Sequence, residues 1–263
     1  MEQHRISERR ACKLVGQGRN TQRYVKKKLD DEDEITTRIV ELVSEYGRYG
    51  YRMITAMLRL ECHCINHKRV YRIWRALGLK VPHKQPKRRR LWSNDGSCIR
   101  LKAEHRNHVW SYDFMYTRTS KGRPIKILNV IDEYTRECLL SYPAPRIQSA
   151  DVQDLLRELF IKHGAPEYIR SDNGSEFIAK KLCEWLATME VAPMYILPGS
   201  PWENGFVESF NGTMANEVLN REVFDSLFEA RVLVNRWVTH YNTTRPHSAL
   251  GYRPPAPAAY MSA

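Results

Sequence analysis

Three carboxylates stand in contexts that could do chemistry together: Asp113 in WSYDF, Asp172 in RSDNG and Glu208 in NGFVESFNG, the last two separated by 35 residues. Cutting and joining phosphodiesters with two Mg²⁺ calls for such a set, because hard cations want oxygen ligands and keep open positions for a substrate phosphate. Asp113 lies in an otherwise aromatic and apolar run, where a carboxylate is costly unless a metal or a donor satisfies it; a core ion pair or a strand-edge position is the plain alternative. Asp172 opens Asp-Asn-Gly, by itself an ordinary turn signal. Around Glu208, the residues Val207, Phe210, Met214 and Val218 form an apolar helical stripe, and Asn204, Glu208 and Asn211 share a neighbouring polar face. That face reads equally as a metal ligand flanked by phosphate or base contacts, or as exposed helix surface.

These acids need a scaffold, and the apolar periodicity supplies one. Residues 108–117, 125–132 and 137–142 are β-branched or aromatic runs separated by turn residues, which predicts an antiparallel meander. An amphipathic helix over 150–163, a strand at 168–170, a helix over 177–189, a strand at 193–197 and a long helix over 203–219 follow. The order βββαβαβα predicts an α/β fold, a mixed five-stranded sheet with helices on its faces. Asp113 then falls inside the first strand and Asp172 just past the fourth, positions that adjacent strands bring together at a carboxyl edge. A last helix, 227–241, points Leu227, Ala230, Val234, Trp237 and Val238 inward before a proline-rich tail. Arg245 and His247 could touch DNA or brace the core, and bracing is the favoured reading.

Charge divides the chain. Of the +12 total, residues 1–106 hold 26 Lys and Arg against 12 Asp and Glu, a balance of +14, and residues 107–263 hold 16 against 18, a balance of −2. Such asymmetry points to a polyanion-binding arm on a near-neutral domain. Within the arm, an acidic start at 30–34 opens a helix with Ile35, Ile39, Leu42 and Val43 at helical spacing, and a second helix spans 52–60. Asn66 caps a third, which Gly78 ends. Its apolar side is Val70, Ile73, Trp74 and Leu77, while Lys68, Arg69, Arg72 and Arg75 lie largely on the others. This is either a helix-turn-helix variant or a surface helix with a solvated face. The run PHKQPKRRRL, with Lys87, Arg88, Arg89 and Arg90, is a basic linker. The expected domains are 1–81 (basic, helical, DNA-binding), 82–106 (linker), 107–222 (catalytic core) and 223–263 (terminal helix and tail).

No apolar run approaches the ~20 residues of a membrane span, and the six cysteines are scattered, as in a reducing cytosol rather than a disulfide framework. Cys62, His63, Cys64 and His67 cluster, but their spacing matches no standard zinc site, so no zinc is expected.

Taken together, WSYDF, IRSDNGSEF, SPWENGFVESFNGTM and HYNTTRPHSALGYRPPAPA resemble bacterial insertion-sequence transposases of the IS-three family, specifically their second-reading-frame product, whose core is similar to retroviral integrase. YGYRMI, INHKRVYRIWRALGLKV and the basic linker extend the resemblance over nearly the whole chain. It implies a ribonuclease-H-like core in which Asp113, Asp172 and Glu208 are the catalytic residues and hold Mg²⁺, with Mn²⁺ as a substitute. It implies that Ser175, Asn204 and Asn211 touch DNA. It further implies double-stranded DNA as partner at element ends and target, a first-reading-frame product or a fusion with it, a homo-multimer on DNA, no membrane, and a cytoplasmic, DNA-associated location. Two departures stand out: Gly212 and Ala215 occupy the positions of two integrase lysines, and the integrase His-His-Cys-Cys spacing is missing from residues 1–80. The competing readings are a nuclease of the same fold that cuts without joining and a non-catalytic DNA-binding regulator, for which Glu208→Gln would abolish nothing.

Overall fold

The computed structural model describes residues 6–24, 30–82, 101–172, 174, 177, 179–195 and 204–255. They fall into two compact units, residues 1–44 and 45–263. The first carries α1 (Glu8–Val15), the short α2 (Arg19–Gln22) and nearly all of α3 (Glu32–Glu45). Helix α1 has complete end chemistry: the Ser7 hydroxyl accepts the Arg10 N–H, and Gly16 closes the helix in the left-handed region at φ 70°. On α3, Ile35, Ile39 and Leu42 are buried, and Glu32, Asp33 and Glu34 sit at its positive end.

The second unit begins with α4 (Tyr51–Leu60) and α5 (His67–Ala76), packed on each other. Asn66 caps α5 through its side chain, which accepts the Lys68 N–H at 2.9 Å. Val70, Ile73 and Trp74 turn inward as expected. Leu77 does not; it is the C-cap residue and is exposed, because the helix ends before the apolar stripe reaches it. Cys62 and Cys64 are exposed.

Five strands follow: β1 (Val109–Arg118), β2 (Pro124–Asp132), β3 (Cys138–Ala144), β4 (Tyr168–Ser171) and β5 (Ala192–Tyr195). Their order is β3-β2-β1-β4-β5, with β1/β2 and β2/β3 antiparallel and β1/β4 and β4/β5 parallel. The meander of β1–β3 follows from tight turns, whereas each parallel pairing needs a crossover helix: α6 (Ser149–His163) between β3 and β4, and α7 (Lys180–Thr188) between β4 and β5. This is the mixed five-stranded sheet that the pattern predicts, and it is ribonuclease-H-like.

Each face of the sheet has its own core. On one, Trp110, Tyr112, Leu128 and Val130 meet Leu156, Phe160, Leu182 and Leu186 of α6 and α7. On the other, Ile125, Ile127 and Ile131 meet Val207, Phe210 and Met214 of α8 (Gly205–Met214) and Ala230, Val234 and Trp237 of α9 (Leu227–Thr243). Each such side chain, fully buried, contributes about 1.5–3 kcal/mol. The alternation of residues along β1 decides which core each one enters. The predicted helix over 203–219 is α-helical through Met214 and then widens into a π turn, Ala215–Leu219. Among the described residues no helix is long and apolar enough to cross a membrane.

Candidate active site

Asp113 lies in the middle of β1, paired with Asn129 of β2. Parallel pairing of β1 with β4 joins Ser111 to Arg170, so Asp113 and Asp172, each two residues further on, lie on the same face at the carboxyl edge. Below them Arg170 donates twice to Glu133, at 2.6 and 2.8 Å, and once to the Leu101 carbonyl at 3.0 Å, while Ser111 Oγ also donates to Glu133. This ion pair is fully buried with its donors satisfied, and it locks the register of the strand that delivers Asp172.

Helix α8 crosses the same face and contacts β1 and β2. Its stripe of Val207, Phe210 and Met214 is buried, which leaves Glu208, on another face, exposed. Asn211 Nδ2 donates to Asp113 Oδ2 at 2.9 Å, and the Phe114 N–H donates to Oδ1 at 2.8 Å. Burial, joined by the negative charges of Asp172 and Glu208, pushes the Asp113 carboxyl up to about 6 against the lowering by the Phe114 N–H and the Asn211 amide. Three elements distant in sequence thus bring three acids into one electrostatic field. Asp172 Oδ1 accepts the Gly174 N–H at 3.0 Å. A Cβ on Gly174 would come within 2.9 Å of that oxygen, so glycine keeps the carboxylate's space clear.

The residues expected at DNA divide. Lys68 and Arg75 are exposed on α5, the latter with its guanidinium 6.0 Å from the ring of exposed Tyr71, and Arg69 and Arg72 are half-buried. Lys87, Arg88, Arg89, Arg90 and Ser175 lie outside the described residues. Asn204 and Asn211 are 2% and 9% exposed. Asn211 bonds Asp113, so of the two readings of this face, exposed surface does not hold for Asn211: its amide faces the sheet. Asn204 is likewise buried. The residues that pattern reading missed are Asn129, Glu133, Arg170 and Gly174. Asn129, a polar residue within the apolar run ILNVI, was the available signal.

One trio of ligand-type atoms among the described residues lies within 4.8 Å, and it is His105, His108 and Glu167 rather than the three acids. It sits at the amino ends of β1 and β4. His108 Nδ1 accepts the Glu104 N–H, so in the neutral ring Nε2 holds the proton and faces Glu167. His108 therefore cannot ligate through Nε2 unless its bond to the Glu104 N–H breaks.

A ribonuclease-H-like sheet with acids gathered at the carboxyl edge of its central parallel pair is the scaffold of the integrase class of DNA-processing enzymes. The comparisons agree: integrase core domain families match residues 103–201 and 189–255, and an HTH-like domain family matches 30–89. The chain is 37% identical over 257 residues to the uncharacterised 39.2 kDa protein of insertion element IS476 from Xanthomonas euvesicatoria, covering 97% of this chain and 73% of that one. It is 35% identical over 255 residues to the 31.7 kDa protein of IS407 from Burkholderia multivorans, covering 97% and 91%. It is 28% identical over 240 residues to the transposase InsD of IS2 from Escherichia coli, covering 86% and 78%. Among solved structures, the HTLV-2 integrase catalytic core in complex with magnesium, in its trimeric form, is similar at 17% identity and a TM-score of 0.44, over 56% of this chain and 93% of that one. The chain belongs to the IS-three family of insertion-sequence transposases, as a second-reading-frame product.

Proposed function

We propose that this transposase cleaves the ends of its insertion sequence and joins them to DNA through Asp113, Asp172 and Glu208. The observation that carries the proposal is the field these acids share: the half-buried Asp113 carboxyl is pushed up to about 6 by burial and then by the other two charges. A carboxylate whose charge is destabilised by burial and by two neighbouring carboxylates suits a hard divalent cation. When bound by these three residues, two Mg²⁺, or Mn²⁺ in their place, would supply activation of a hydroxyl nucleophile and stabilisation of the leaving oxygen. The chain's own part is positioning. Phe114 N–H and Asn211 orient Asp113, Gly174 N–H orients Asp172, and the buried stripe of α8 presents Glu208 outward. Catalysis is then placement and charge neutralisation, with no covalent enzyme intermediate.

Lys68, Arg69, Arg72 and Arg75, the linker residues Lys87, Arg88, Arg89 and Arg90, and Ser175 contact DNA in this proposal, in domains bounded at 81, 106 and 222. Two ends must meet for joining, so the active species is a multimer, with the first-reading-frame product as partner or fusion. The test compares Asp113→Asn, Asp172→Asn and Glu208→Gln with wild type, scoring cleavage and joined element ends. Each should lower cleavage by about 10²–10³-fold or more while leaving DNA binding and fold intact; retained cleavage in one variant removes that residue from the mechanism. Cleavage without joined ends, in wild type, would assign a nuclease instead.

A further inference from the structure

A buried row of polar side chains crosses the sheet beneath α8. Asp113, Asn129 and Ser141 are register partners on β1, β2 and β3, so they stand side by side on one face. Two residues to either side of Asn129 on that face, Ile127 and Ile131 pack into the apolar cluster with α8. Asn129 is 0% exposed and Ser141 7%. An amide in such surroundings is costly unless both of its ends are bonded, and a packing role alone would be met by Val or Leu. Both ends are bonded: Ser141 Oγ donates to Asn129 Oδ1 at 2.7 Å, and Asn129 Nδ2 donates to Asn211 Oδ1 at 2.8 Å. Asn211 Nδ2 continues to Asp113 at 2.9 Å.

The last member sets the direction of this relay. An ionised carboxylate only accepts, so Asn211 must aim its NH₂ at Asp113 and its carbonyl away. Asn129 gives that carbonyl its donor. The flipped amide would set carbonyl against carboxylate on one side and NH₂ against NH₂ on the other, so Asn129 excludes it. We propose that Asn129 is a positioning residue of the transposition reaction, acting through Asn211 to hold the Asp113 carboxylate in one orientation. The proposal rests on the reading of Asp113 as a catalytic acid. It assigns Asn211 to the protein's own carboxylate instead of to DNA.

The experiment uses the full chain and a duplex carrying an element end, with Asn129→Leu, Asn211→Leu, the double variant, Ser141→Ala, and Asp113→Asn as reference. Asn129→Leu should slow cleavage about 10–100-fold, the usual cost of losing an outer-shell orienting partner. Duplex affinity should stay unchanged, and the rise in melting temperature on adding Mn²⁺ should shrink. Because Asn129 acts through Asn211, the double variant should be no slower than Asn211→Leu. Ser141→Ala removes one hydroxyl and should move cleavage and the Mn²⁺ response in the same direction by a smaller factor; it decides the matter if Asn129→Leu does not fold. Equal slowing by Asn129→Leu in the wild-type and Asn211→Leu backgrounds overturns the relay, as does a folded Ser141→Ala with both readouts unchanged. Wild-type cleavage by Asp113→Asn would instead sink the assignment of Asp113, and is visible separately.

Discussion

At the scale of single residues, the half-buried Asp113 carries a cost in stability. Its carboxyl titrates at about 6 in the fold against an ordinary 3.8, so the folded chain binds that proton more tightly than the unfolded one. Stability from this group is therefore present at low pH, falls as pH rises from 3.8 through about 6, and stays lost above that. The gap corresponds to about 3 kcal/mol. Asn cannot ionise, so Asp113→Asn should melt higher than wild type at pH 8 without divalent cations, on the order of 2–4 °C per kcal/mol, and the advantage should vanish near pH 4. Calorimetry at the two pH values checks it, and an unchanged melting point at pH 8 would mean that burial and the neighbouring charges do not hold the Asp113 carboxyl up. The acids themselves were legible, because a carboxylate in an aromatic strand and a polar helix face both break the apolar pattern. Their support was less so: Asn129 interrupts an apolar run without showing what it bonds, and Arg170 looks like an ordinary strand residue until the register sets it below Asp172.

At the scale of elements, the helix carrying Glu208 is fixed at its far end by one ion pair. Glu217, in the π turn, accepts from Arg245 in a two-pronged contact at 2.7–3.1 Å and from Trp237 Nε1 at 3.1 Å. The side chains are 10% and 14% exposed, and Arg245 also lies over the Tyr49 and Tyr241 rings. Tyr49, just before α4, bonds His240 of α9 at 2.9 Å, so the segment entering α4 is tied to the same structure. Removing the cation strands a buried carboxylate: Arg245→Ala should cost about 3–5 kcal/mol in urea unfolding, and replacing both partners with Met should cost much less. A loss below 1 kcal/mol for Arg245→Ala would show that the pair does not anchor the helix. The bracing role of Arg245 was readable from its place after an inward-facing helix. The π turn was not, since local periodicity is nearly the same through 219, and only the distant Arg245 and Trp237 reveal why Glu217 turns inward.

At the scale of the whole molecule, charge and packing divide the chain at different places. Composition breaks near residue 106, whereas the compact units meet at 44 and 45, so the basic helix α5 shares a unit with the catalytic sheet. The sequence could show the first division because charge is additive along the chain; the second depends on contacts such as Tyr49 with His240 that no local pattern announces. The consequence is that cations and carboxylates of one unit should act on DNA through separable terms. Lys68, Arg72 and Arg75 on α5 lie outside the acidic triad, and each phosphate contact they make contributes about 0.9 to the slope of log affinity against log salt. Replacing all three with Gln should lower that slope by about 2–3 and weaken binding to any duplex, specific or not. Glu208→Gln should leave both slope and affinity where they were and abolish cleavage. Titrating a labelled end duplex across a salt series with the two variants tests the separation. An unchanged slope in the triple variant would move DNA binding off α5, and a changed slope in Glu208→Gln would mean that the acid shapes the DNA-binding surface as well as the chemistry.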